Sequence, residues 1–233
     1  MKNAIPILTL LTILLPLTVT AGECRDCHQS IAFNESNPRL FYYYNDFTNS
    51  VHGVARLACT DCHGGDPSTR DLDKSHVGAM DPVRFDTVTQ TCGRCHADEH
   101  HGFTTSAHFR LLTEYRNAPN CVTCHGAMDV EVVNPGKIRA ACAFCHNPES
   151  LTSPDVPERA EANLSRMASI LNLKIDLEAR ATEGSRIWAL AEDYLALAGR
   201  WHAFDLEAMD AATRRLKAAY RTAAKMLADN PDF

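Results

Sequence analysis

The sequence predicts a mainly α-helical protein with extensive loops, little or no sheet, and an α-helical hairpin or bundle at its C-terminal end. Three observations carry this. All ten cysteines lie inside five Cys-x-x-Cys-His units. The stretch holding those units, Cys24 to His146, has no long apolar run and is punctuated by turn chemistry at Gly64-Gly65-Asp66-Pro67, Asp81-Pro82, Ala118-Pro119-Asn120 and Asn134-Pro135-Gly136. After Pro154 there is no further cysteine, and apolar residues recur at helical spacing.

Residues 1–21 read as a secretory signal. Lys2 is the positive start, Ile5 to Leu17 the apolar stretch, and Val19-Thr20-Ala21 a cleavage site of the small-x-Ala kind. The apolar run, broken by Thr and Pro, is short of the ~20 residues a membrane span needs, which favours cleavage over an anchor. Export to the periplasm or beyond is therefore the expectation. The chain then divides into 22–153, which carries the motifs, and 154–233, which carries none.

The five units begin at Cys24, Cys59, Cys92, Cys121 and Cys142, pairing Cys24 with Cys27, Cys59 with Cys62, Cys92 with Cys95, Cys121 with Cys124, and Cys142 with Cys145. The histidines that close them are His28, His63, His96, His125 and His146. A lone Cys-x-x-Cys is as often half a zinc site or a redox disulfide. Histidine, however, makes up only 11 of the 233 residues. Five chance occurrences in that slot have odds of roughly one in a few million from composition alone. Zinc sites want four ligands per metal, and ten cysteines with five fixed histidines do not divide into such sets. The pattern is the attachment signature of c-type haem, in which two thiols add across two vinyl groups and the adjacent imidazole becomes an axial iron ligand. Five covalently bound haem c groups are expected. Because Cys24 is committed in this way, it is not a lipid-anchor cysteine.

A segment of 123 residues with five such sites is too poor in apolar sequence to build its own core, so the porphyrins are expected to supply it. Short helices are expected at each motif, with loops between. Motif starts lie 35, 33, 29 and 21 residues apart, so the last two sites share the shortest connection and are expected to pack closely. Phe41-Tyr42-Tyr43-Tyr44 is the densest aromatic cluster and reads as packing rather than as a substrate site. Ser153-Pro154-Asp155-Val156-Pro157 reads as a linker. Beyond it Leu164, Met167, Ala168 and Leu171 form one stripe, and Ile187, Leu190, Ala191, Tyr194, Leu195 and Ala198 another, with Gly184 a break between them. Asp205 is a fair N-cap for a last helix striped by Met209, Leu216, Tyr220, Ala223 and Leu227. These stripes read as packing faces that also offer a surface to a partner or to a second copy of the chain.

Several segments carry a family resemblance: Ser50-Val51-His52-Gly53 ahead of Cys59-Thr60-Asp61-Cys62-His63, the following Gly64-Gly65-Asp66-Pro67 with Lys74-Ser75-His76, and Ser106-Ala107-His108. With the five motifs, they make the chain from Cys24 to His202 resemble the multihaem c-type cytochromes. More distantly it resembles the class of cytochrome c nitrite reductase and hydroxylamine oxidoreductase. The resemblance implies a multihaem cytochrome c core and attachment of haem outside the cytoplasm.

The sixth position of each iron separates a wire from a catalyst. With the motif histidines assigned, His52, His76, His100, His101, His108 and His202 remain. His100 and His101 would point ~100° apart on a helix, so one of them at most faces a given haem. That leaves five candidates for five irons, with Met80 and Met128 as competitors. Bis-histidine ligation gives a lower potential than His/Met ligation.

If every iron is six-coordinate, the function is electron transfer between redox protein donors and acceptors, among them membrane-associated ones. The rival is a multihaem oxidoreductase with one open haem acting on a small nitrogen or sulfur compound. Against a nitrite reductase, the resemblance implies a lysine in place of one motif histidine, and all five motifs here end in histidine. A haem-based sensor or filament subunit has no feature in its favour. The formal net charge is −6, and ten propionates would add to it, which disfavours nucleic acid and suits basic partner surfaces. Arg214, Arg215, Lys217, Arg221 and Lys225 read as the solvated face of the last helix.

Overall fold

The computed structural model describes residues 22–78, 83–150, 153–181 and 185–229. The signal sequence at 1–21, the Asp81-Pro82 turn, Met80 and Gly184 lie outside these residues. The architecture is helical throughout, with no strand among the described residues. No described helix is long and apolar enough to cross a membrane.

The motif-bearing segment is a string of short helices. They are α1 (Gly22–His28), α2 (Ile31–Ser36), α3 (Pro38–Asn49), α4 (Val51–Val54), α5 (Cys59–His63), α6 (Leu72–Ser75), α7 (Val88–Gly93), α8 (Ala97–Thr104), α9 (Ala107–Tyr115), α10 (Cys121–His125) and α11 (Pro135–Ala143). Three motifs are themselves helices (α1, α5, α10), and the other two begin at the ends of α7 and α11. The sequence implied loops between motifs, but helices fill much of that chain. α3 starts on Pro38, whose fixed φ suits a first turn, and α9 is capped by Ser106, whose Oγ accepts from the Phe109 amide at 3.1 Å.

The aromatic cluster lies on α3 and ties it to α1. Arg25 donates to the Tyr44 hydroxyl at 3.4 Å and sits over its ring at 5.9 Å. Arg39 covers Tyr43.

The tail is a three-helix bundle of α12 (Val156–Glu178), α13 (Arg186–Trp201) and α14 (Leu206–Asp229), each touching the other two. Val156 and Pro157, expected in the linker, form its first turn, where a proline loses no hydrogen bond. The buried stripe of α12 is Ala160, Asn163, Met167, Ile170 and Leu177; of the predicted stripe Met167 is buried and Leu164 packs against the core, while Ala168 and Leu171 point outward. Leu195, placed on the stripe of α13, is 65% exposed, and Leu197 and Trp201 take the interior instead. On α14 the predicted stripe of Met209, Leu216, Tyr220, Ala223 and Leu227 is buried. Asp205 caps that helix through the Ala208 amide at 3.0 Å.

One buried polar knot joins α12 to α14. Arg166 donates to Thr213 Oγ1 at 3.0 Å, to Asn163 Oδ1 at 2.7 Å and to Asp210. Arg214, Arg215, Arg221 and Lys225 are exposed on α14, with Arg214 paired to Asp210.

The bundle docks on the motif segment in two places. Ile138 of α11 enters the bundle's apolar cluster, while Arg139 reaches Glu158 and Glu161 of α12 at 2.9 and 3.1 Å. The second is a crossing of α8 and α13 at two glycines. A Cβ on Gly102 would stand 2.4 Å from the Gly199 carbonyl oxygen, so only glycine allows that approach.

Burial divides the chain sharply. The motif segment buries only Val88, Phe103, Leu112 and Ile138 among its described apolar residues. Ile31, Val54, Leu72, Val77, Val132 and Phe144 are each at least 70% exposed.

Candidate haem sites

Four of the five motif histidines stand opposite a histidine from outside the motifs. His28 faces His76 with ring centres 6.4 Å apart, His52 faces His96 at 5.9 Å, His108 faces His146 at 6.1 Å, and His125 faces His202 at 6.2 Å. No two motif histidines pair with each other, and no two of the others do.

Two local designs place the four partners. In the first, a buried serine caps a helix and the histidine follows two residues later, in the first turn. Ser50 accepts from the Gly53 amide at 3.0 Å ahead of His52, and Ser106 does the same for α9 ahead of His108. In the second, the histidine is the C-cap residue, and its Nδ1 turns back to the carbonyl four residues earlier. His76 reaches Leu72 O at 2.7 Å, and His202 reaches Ala198 O at 3.1 Å. That carbonyl is one a helix end leaves without a partner. We expect Ser106→Ala to destabilise the protein by about 0.5–2 kcal/mol, and to disturb the His108/His146 site before the other three. Thermal melts with haem spectra of the variant check this.

Hydrogen bonding settles which ring nitrogens are available. A carbonyl oxygen only accepts, so His76 and His202 carry a proton on Nδ1, and Nε2 is the nitrogen left to face a partner. His125 does likewise, its Nδ1 3.0 Å from Glu131 O. His125 and His202 both turn Nδ1 to a carbonyl, and their rings are stacked at 20°. Burial pushes the pKa values of His28, His52, His108 and His202 down, with neighbouring imidazoles adding to the effect. The rings are thus held in the neutral form that binds metal. His108 Nδ1 is buried with no hydrogen-bond partner.

The spacing suits an iron between the rings. Two metal–imidazole bonds of about 2 Å, each with roughly 1 Å from nitrogen to ring centre, put the centres roughly 6 Å apart. No group of three or more His, Cys, Asp or Glu side chains is arranged to hold a metal among the described residues. Two imidazoles on one axis are instead what an iron needs when a macrocycle supplies its other four ligands.

Thiols of different motifs perturb one another. Burial pushes Cys59 up, and Cys24 adds to this; burial also raises Cys62, with Cys92 beside it. The neighbouring Cys121 thiol raises Cys92, and Cys92 in turn lowers Cys121. Burial lifts Cys142 to about 11, and Cys124 contributes. Arg94 of the third motif donates to the Asp61 and Cys62 carbonyls, both at 3.0 Å, tying it to the second. Helix α10 of the fourth motif touches both α11 and α7, so it adjoins the fifth and the third motif alike.

All eleven histidines fall within the described residues. His63 has no histidine across from it. His100 is seated against Gly93, where an added Cβ would meet its ring at 2.6 Å, and His101 is exposed on α8.

Three kinds of residue went unread in the sequence. Phe204 turns the chain from α13 to α14 with φ 57°, and its ring stands edge-on to His108 at 4.8 Å. One turn thus presents His202 to His125 and Phe204 to His108. Gly102 lets α13 approach closely enough for this, and Gly53 lets α4 lie on the end of α3, where a Cβ would be 2.1 Å from Phe47 O. The signal available was an isolated glycine in a helical pattern. No protein-family model, curated protein or solved structure matches this chain.

Proposed function

We propose that the chain is an exported pentahaem c-type cytochrome that carries electrons between redox proteins. The observation that carries the reading is the selective pairing of four motif histidines with four others at 5.9–6.4 Å. The residues that would hold haem are the ten motif cysteines and His28, His63, His96, His125 and His146, with His76, His52, His202 and His108 as second axial ligands. Bound haem supplies a reversible one-electron couple. The protein's part is geometric. Carbonyls of Leu72, Ala198 and Glu131 aim their imidazoles, which also makes each ring a stronger donor.

Bis-histidine ligation holds potentials low, and two protein ligands on one iron keep small substrates from it. Four of the five sites are accordingly suited to transfer rather than catalysis. Neighbouring motifs touch: Arg94 ties the third to the second, and α10 of the fourth packs on α7 of the third, which supports passage between sites. An acidic particle suits basic redox partners and not nucleic acid.

The test is the haem content of the purified protein, by pyridine haemochrome and intact mass, together with EPR of its oxidised form. Five covalent haems with at least four low-spin signals are expected. Fewer than five haems, or several high-spin irons, would overturn the reading.

A further inference from the structure

Resting on the haem reading above, we propose that His63 holds its haem without a histidine on the opposite face, and that this site binds small neutral lone-pair donors such as diatomic gases. The accounting of histidines carries this. Five close the motifs and four stand opposite His28, His96, His125 and His146. Only His100 and His101 remain.

Neither stands in ring contact with His63. The His100 ring is packed on Gly93, the third residue before His96, so it belongs to the flank of the next motif. His101 is exposed on the same helix, and its carbonyl accepts the Thr104 hydroxyl at 2.9 Å. The one histidine on the loop that leaves His63 is His76. It is taken by His28, with its ring fixed to Leu72 O and Ser75 Oγ at 2.7 and 3.1 Å. The backbone bond from the Asp66 amide to Ser75 O, at 2.9 Å, closes that loop, and His76 turns its ring to His28.

The neighbour of this motif matters for what such a site would do. Arg94 of the third motif donates to the Asp61 and Cys62 carbonyls, both at 3.0 Å, so a bis-histidine site adjoins it. A ligand bound there would meet a site reducible from that neighbour. The four other sites, each with two imidazoles, would stay closed to it.

Carbon monoxide is the probe, added to the dithionite-reduced holoprotein whose haem content has been measured. One CO per chain is expected, changing about one fifth of the Soret intensity. His100→Ala and His101→Ala are expected to leave that stoichiometry at one. Five haems with no CO uptake would overturn this inference while leaving the carrier reading intact. CO uptake that rises from none to one in either histidine variant would do the same and identify the ligand. Fewer than five haems would instead overturn the reading on which it rests.

Discussion

Made without covalent haem attachment, the chain should lose the helices between Gly22 and His146 and keep α12–α14. The motif segment buries only Val88, Phe103, Leu112 and Ile138, and Ile138 does so against the bundle rather than its own neighbours. Four such side chains do not offset the ordering entropy of more than a hundred residues. The bundle is different, since Ile170, Leu177, Ile187 and Tyr220 are fully enclosed there. Hydrogen exchange on the haem-free full-length chain reads the outcome directly. Fast exchange throughout 22–146 beside slow exchange in α12–α14 is expected. Protection of α5, α7 and α10 without haem would mean that the polypeptide holds those sites in shape by itself.

The second large effect is expected from Gly102→Ala. Its Cβ would come within 2.4 Å of the Gly199 carbonyl, a backbone atom on a packed helix, so α8 and α13 must separate. His202, at the end of α13, then withdraws from His125. Overpacking of this kind costs about 1–3 kcal/mol. The functional consequence is larger than the stability loss, because one axial pair opens. CO uptake by the reduced holoprotein should rise from one to two per chain, with one low-spin EPR signal lost. Gly136→Ala is the control, since a Cβ there meets only Asn134 Oδ1 at 3.5 Å, an ordinary contact. If Gly102→Ala leaves the EPR spectrum and CO uptake unchanged, the α8–α13 crossing does not govern the His125 site.

The parts of this fold that could be read in the sequence are those encoded locally. Five copies of a five-residue unit announce themselves, as does the stripe of α14, where Met209 to Leu227 keep one helical face. Asp205 was legible as a cap for the same reason. The stripe of α12 was read correctly at Leu164 and Met167 and misread at Ala168 and Leu171, because alanines and leucines occur on both its faces. Ala168 points out and Ile170 in, and only docking against α14 decides between them. His52, His76, His108 and His202 could be named as candidates, but their partners could not. His76 passes over His63 to reach His28, and His52 passes over it in the other direction to reach His96. Such choices are made by loops, here by the Asp66–Ser75 bond and the turns around α4. Phe204 gave no signal, since its role depends on a left-handed turn between two helices.

The axial pairs overlap along the chain. His28–His76 interleaves with His52–His96, and His108–His146 with His125–His202. A nascent polypeptide emerges N-terminus first, so the partner of His125 arrives only after 76 intervening residues, at the end of α13. Completion of that pair reports that the chain through the second helix of the bundle has been delivered and folded. With haem bound as proposed, the protein would carry its own proofreading mark, visible as the colour of a single iron.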